Sequence, residues 1–349
     1  MNAAERLLRR IDAAQQRRTA PAFLIGVIKK YGDDNGGVLA ANLAYSSFVS
    51  LFPLLLVLTT ILGLVVAGNE AIRQDVLHAV AGQFPLIGDQ LADVQALRRS
   101  SIIGLIVGLA TLVWGASGLA QAAQYTMAQV WNVPGPARPG YLQRLGRAGL
   151  FLALLGAGVI VTTLLASLST YGHKAAVIAV LAEIVALAGN IGIYFTGFRV
   201  LTPKGVPSGR LWPGAVAGGA AWTVLQAAGT YLVHHFLRGD SVYGVFATVL
   251  GLMAWIYLGV QVTVYTAEIN VVLARRLWPR ALLQPPLTEA DRASLAMQAL
   301  QNQRRPEQHV DVSYDDRPPG TGPGKRTPRT PDEVAPPAKQ GDGEGSRGW

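Results

Sequence analysis

The sequence predicts an all-α, polytopic integral membrane protein with six transmembrane helices, short extramembrane helices and a disordered C-terminal tail. Three observations carry this prediction. Half of the 349 residues are apolar and only 15% are charged, against roughly 25% charged in average usage. The apolar residues gather into runs of about twenty, the length a helix needs to cross a hydrocarbon core about 30 Å thick. Of the 30 Lys and Arg residues, 25 fall in the two terminal segments and the connections on their side, which is the charge bias of cytoplasmic segments. A soluble enzyme and a disordered regulator are excluded. The absence of cysteine excludes a secreted disulfide scaffold, a thiolate metal site and a redox pair.

Residues 1–37 read as a basic, interfacial N-terminal segment. Ala4, Leu7, Leu8, Ile11 and Ala14 recur at helical spacing, with Arg6, Arg9, Arg10, Arg17 and Arg18 around the remaining surface. Phe23, Val27 and Tyr31 repeat the idea over a shorter helix, with Lys29 and Lys30 near its end, as expected of a segment lying among lipid headgroups. An ordinary solvated charged face fits the same pattern. Asn35-Gly36-Gly37 breaks this segment, and Asp33 and Asp34 sit where negative charge suits the start of the next helix.

The transmembrane domain is expected over 38–274, with spans at about 38–66, 101–123, 148–168, 175–198, 211–236 and 243–273. The first is far too long and too distant from the start for a cleavable signal peptide, so no processing is expected. Between the first two spans, Ile72, Val76 and Val80, then Leu91, Val94 and Leu97, suggest two short extramembrane helices around Phe84-Pro85. The second and sixth patterns outrun the bilayer, which implies tilt or projection. From 275 to 349 the chain reads as a cytoplasmic, mostly disordered tail, because 11 of the 20 prolines lie from Pro279 onward and little apolar surface remains to offset ordering entropy. One short helix is expected there, starting at Thr288-Glu289-Ala290-Asp291.

Few residues suggest chemistry. The five histidines form no metal-ligating spacing, and no glycine-rich phosphate loop is present, so no catalytic residue, metal or cofactor is assigned and ATP-driven pumping by this chain is not expected. Intramembrane polar residues are the stronger signal, since an ionisable group in hydrocarbon costs several kcal/mol. Glu183, eight residues into the fourth span, shares a helical face with Asn190 and is the clearest candidate for a substrate or proton path. Glu268 and Asn270, near the end of the sixth span, are read as less buried, with capping or interhelical bonding as an equal alternative. Gly104 and Gly108, like Gly214 and Gly218, form G-x-x-x-G pairs that bring helices close, within one chain or across a homodimer. Pro53 frees a carbonyl in the first span, to be satisfied by Ser46, Ser47, Ser50 or water, and marks a candidate kink.

Four stretches carry a resemblance. NLAYSSFVSLFPLLLVL from Asn42, AQVWNV from Ala128, LWPGAVAGGAAW from Leu211 and YGVFATVLGLMAWIYLGVQVTVYTAEIN from Tyr243 occur in this order, and together they resemble the YihY/BrkB family of bacterial inner-membrane proteins. Thr266 departs from the pattern, where the resemblance implies a glycine packed against a neighbouring helix. The resemblance implies six helices with cytoplasmic termini in the inner membrane. It also brings labels of serum resistance, of envelope lipid export and of a ribonuclease, the last unsupported by any hydrolytic constellation in this chain. The leading expectation is a non-ATPase transporter or lipid-handling permease acting on a lipid or small molecule. A noncatalytic scaffold or envelope-maintenance factor, with membrane lipids, a second copy or an envelope protein as partner, is the alternative, and an intramembrane enzyme the third. The net charge of +9 is explained by topology and does not call for a nucleic acid.

Overall fold

The computed structural model describes residues 3–65, 102–138, 140, 142–151, 153–154, 176–202, 205–236 and 244–314. The expected short helices between 68 and 100, the far part of the third span and the tail beyond 314 lie outside the described residues. So do the side chains of Pro53, Gly104 and Gly108.

Among the described residues the regular structure is entirely helical. The chain runs through α1 (Ala3–Gln16), α2 (Thr19–Asp33), α3 (Gly36–Val65), α4 (Ile102–Val130), a helical stretch α5 over 142–151, α6 (Ala176–Leu201), α7 (Trp212–Phe236), α8 (Gly244–Arg275) and α9 (Glu289–Gln301). Helices α3, α4, α6, α7 and α8 lie over the first, second, fourth, fifth and sixth apolar segments of the sequence. Glu183–Leu201 and Val249–Arg275 are long and apolar enough to cross a membrane, and only 17% and 28% of their apolar windows are buried. Their apolar surface therefore faces outward, the reverse of a core helix in a soluble protein.

The packing is pairwise around α8. Helix α3 lies along α4, α6 along α7, and α8 touches α3, α7 and α2. Close approach is bought with glycine where aromatic rings intrude. A Cβ on Gly229 would stand 2.1 Å from the Trp255 ring, and one on Gly259 would stand 2.6 Å from Trp222, so α7 and α8 exchange a ring for a hollow in both directions. Gly36, at the turn into α3, abuts the Tyr31 ring, which stacks on Tyr265 at a centroid distance of 3.9 Å. The contiguous buried cluster, including Leu39, Leu43, Met127, Val130, Leu211, Val264 and Val271, gathers at the end of the bundle where α2 and the segment after α8 pack, called the terminal end below.

Both terminal segments are tied to the bundle there. Helix α2, in the segment read as interfacial, packs along α8. Val27 and Lys30 are buried, and Phe23 meets Trp278 edge-on. Leu24 and Ile28 of α2, with Leu7, Leu8 and Ile11 of α1, form the apolar surface left exposed. After 275 the described residues, which include the expected short helix, fold back on the bundle. Gln15 donates to the Arg280 carbonyl at 2.8 Å, and the Leu282 amide donates to Asp12 at 3.0 Å. Thr288 caps α9 in a reciprocal box with Asp291. Polar docking, invisible to a count of apolar residues, holds this arm.

Candidate functional site

The largest fully buried side chains among the described residues are two cations, Arg280 and Lys30. Lys30 lies in the last turn of α2 and pairs with Asp34, one turn on. Its ammonium also stands 3.6 Å from Glu268 of α8 and donates to the Val130 carbonyl at 3.2 Å, where α4 ends. Asn132 follows that helix end in the left-handed region, φ 48°, which asparagine tolerates better than most residues. Its amide donates to Asp34 and to Gln301 of α9, each at 3.0 Å. Four helices thus meet at one ion pair.

A second set adjoins it. Arg280 donates to Asp291 at 2.7 Å, approaches Asp33 at 2.6 Å and donates to Ser294 at 3.2 Å. Lys29 stands 3.5 Å from Asp291 and donates to the Ala281 carbonyl. Burial alone raises a carboxyl, but the Arg280 guanidinium, the Ala281 amide and the Thr288 donors outweigh it and hold Asp291 at about 2. Across both sets, four carboxylates (Asp33, Asp34, Glu268, Asp291) face three cations (Lys29, Lys30, Arg280). Glu268 is the odd member: it is fully buried and both of its oxygens lack a hydrogen-bond partner among the described residues.

The sequence-predicted residues fall into separate places. Asn270, two positions from Glu268, accepts at 2.7 Å from the amide of Gly214, the third residue of α7. That amide is one of the first-turn donors a helix cannot satisfy internally, so Asn270 caps α7 from a different helix. Gly214 permits the contact, since a Cβ there would stand 2.2 Å from the Thr266 carbonyl. Thr266 is buried and spends its hydroxyl on Val262, so the departure from glycine is accommodated on its own helix. Gly218 faces another neighbour, with the Tyr194 ring of α6 at 2.4 Å from a built Cβ. Both of these glycines thus receive groups of the same chain.

Glu183 and Asn190 part company. Asn190 is buried at the α6–α7 interface and donates to Thr223 at 3.0 Å and more weakly to Gln226 at 3.4 Å. Glu183, two turns away, is exposed among Val180, Leu181 and Ile184 and has no bonded partner among the described residues. The expected order of burial is therefore reversed, with Glu268 and Asn270 inside and Glu183 outside. In α3, which continues through Pro53, Ser46 and Ser47 donate to the carbonyls of Asn42 and Leu43, and Ser50 donates to Ser46 and across to Gly115 of α4. The serines serve those carbonyls and the α3–α4 contact.

The sequence reading missed Lys30, Asp34, Asn132, Arg280 and Asp291 as one cluster. A signal existed only in part. Asn132 lies in the AQVWNV stretch, and Asp33-Asp34 drew notice for the helix dipole, but their partners are up to 261 residues away along the chain.

Helices with apolar outer faces around a buried, ion-paired end make this a membrane protein that is all-α among the described residues. Residues 27–289 match the family described as Virulence factor BrkB, and the chain belongs to that family. It is 26% identical over 243 residues to a UPF0761 membrane protein of Pseudoalteromonas atlantica, covering 68% of this chain and 80% of the relative. It is 24% identical to a ribonuclease-like protein, YfkH, of Bacillus subtilis over 73% of this chain and 96% of the relative. It is 22% identical to the inner membrane protein YhjD of Escherichia coli over 72% and 81%. No solved structure matches the chain significantly.

Proposed function

We propose that this protein is a six-span, noncatalytic inner-membrane permease that moves a lipid or other small amphipathic molecule without ATP, its termini in the cytoplasm. The observation that carries this reading is the polar line on α6. A carboxylate at the apolar surface, Glu183, stands two turns from Asn190, which is bonded into the α6–α7 interface. An ionisable group facing hydrocarbon costs several kcal/mol and is retained where it meets water, a headgroup or a substrate. Such a line offers a polar headgroup a lateral way from the bilayer into the helix interface. The cytoplasmic assignment follows from the Lys and Arg excess on the terminal side.

The test is transbilayer movement of fluorescent phospholipid in proteoliposomes holding the full-length protein. The parent is expected to accelerate it, and Glu183→Gln, which keeps the shape but removes the charge, is expected to insert normally and abolish the acceleration. A Gln variant as active as the parent removes Glu183 from the path. A scaffold is the second reading, supported by the tight pairing of the buried charges at the terminal end. It predicts no lipid movement by either protein.

A further inference from the structure

The geometry points to a binding site for a small phosphate-bearing anion in a cleft at the terminal end, between the α2–α3 turn, the end of α4 and the arm that follows α9. The cleft has a volume of about 450 Å³, within the range of roughly 300–1,000 Å³ that small-molecule sites occupy. It is lined by Arg138 and Arg304, by Tyr125, and by the amides of Gln129, Gln298 and Asn302.

The lining as a whole carries no net charge, and its two arginines are what favour an anion. Asp33 and Asp34 also border it, but Asp33 is engaged by Arg280 and Ser294, and Asp34 by Lys30 and Asn132. Neither arginine has a carboxylate partner among the described residues. Arg138 is already oriented: its guanidinium lies over the Tyr125 ring, 5.7 Å from the centroid, and Nε donates to the Val133 carbonyl at 3.3 Å. The two terminal nitrogens have no partner among the described residues, which leaves them for a ligand. Gln298 adds an amide nitrogen that is buried and without a partner among the described residues, an arrangement folding normally avoids unless something accepts from it. A carboxylate fills one guanidinium fork, whereas a phosphate monoester presents three oxygens and can meet two arginines and an amide together.

The phosphate can belong to a soluble metabolite or to a phospholipid headgroup, and one experiment separates them. Thermal unfolding of the full-length protein is followed in neutral detergent with sn-glycerol 3-phosphate or with glycerol added, and in phosphatidylcholine nanodiscs with or without phosphatidic acid, the lipid that carries a phosphate monoester. The expected result is saturable stabilisation by glycerol 3-phosphate and not by glycerol, by phosphatidic acid and not by phosphatidylcholine alone, or by both anionic probes. Stabilisation by the free ester assigns a soluble ligand, and stabilisation in anionic nanodiscs alone assigns a headgroup. In either case R138Q and R304Q should each weaken the response about tenfold or more, the loss expected for one charge-assisted contact. Arg304 is exposed and bonds to Gln308 through its backbone amide, so R304Q leaves the fold intact even if R138Q does not. No stabilisation by either anionic probe, or an equal response in R304Q, overturns the site.

Discussion

Replacing Lys30 by methionine should be among the most damaging single changes to this protein, and the damage should depend on Glu268. The ammonium and the Glu268 carboxylate are 3.6 Å apart and both fully buried, which gives an attraction of about 5 kcal/mol at an effective dielectric of about 20. Burying each ion costs several kcal/mol, so the intact pair contributes little net stability. Removing the cation alone leaves Asp34 and Glu268 with no ammonium between them, and breaking a buried pair in this way costs about 3–5 kcal/mol. Glu268→Gln is different. Both carboxylate oxygens lack hydrogen bonds, so the amide forfeits only charge, and the cost should stay within about 1 kcal/mol. The double variant Lys30→Met/Glu268→Gln should recover at least about 2 kcal/mol of the Lys30 loss, a coupling of the size expected for contacting groups. Equilibrium unfolding in mixed micles of neutral detergent with rising dodecyl sulfate, read by fluorescence of the seven tryptophans, measures all four proteins. Costs that add to within about 0.5 kcal/mol, or a Lys30→Met protein as stable as the parent, refute the reasoning.

The other predictions concern packing and the C-terminal arm. Gly214→Ala places a methyl group 2.2 Å from the Thr266 carbonyl and 2.4 Å from the Asn270 amide, so the same unfolding assay should show a loss of about 1–3 kcal/mol. Gly32→Ala, where a Cβ meets nothing within 4 Å, should gain up to about 1 kcal/mol. Asp291 is held below its ordinary 3.8 at about 2, so its contribution is complete above the unfolded value and is lost as pH falls from 3.8 towards about 2. Protease sensitivity of residues 276–301 should rise over that interval, and Asp291→Asn should make the arm sensitive at neutral pH. Truncation after Gln303 should leave insertion and folding intact. Truncation after Leu287 removes Asp291 and Ser294 from the buried Arg280 and should sharply lower the yield of monodisperse protein in size-exclusion chromatography.

What the sequence discloses and what it conceals divide along a physical line. Helix positions are legible because apolar runs of bilayer length are a local property, and α9 is legible because its capping box lies within four consecutive residues. The relative burial of polar groups is not local. Glu183 and Glu268 both stand in apolar helices, and hydropathy alone ranks the one nearer the middle of its span as the deeper. Lys30 and Asp34 come from α2, Glu268 from α8 and Asn132 from the end of α4, and only their assembly makes the last turns of α8 drier than the middle of α6. The same blindness affects the arm. Its proline content correctly signals a poor core, yet Arg280, Asp291 and Ser294 are docked by groups near residues 12–34.

The two polar regions differ in how readily they can rearrange. At the terminal end, separating α2 from α8 or α9 strands buried charges, at a cost of several kcal/mol for each broken pair. Along α6 the bonds are neutral: Asn190 to Thr223 of α7 at 3.0 Å and to Gln226 at 3.4 Å, and the Tyr194 hydroxyl to Thr263 of α8 at 3.1 Å. Each such bond contributes about 1 kcal/mol, and a hydroxyl or amide displaced from one partner has another within a turn, as Thr223 has in the Gly219 carbonyl. Gly218 and Gly219 let Tyr194 and Ile191 of α6 pack directly against the backbone of α7. Separating α2 from α8 and the C-terminal arm is therefore the costlier rearrangement, and the neutral bonds of α6, that of Asn190 to Thr223 among them, are the cheaper ones to exchange.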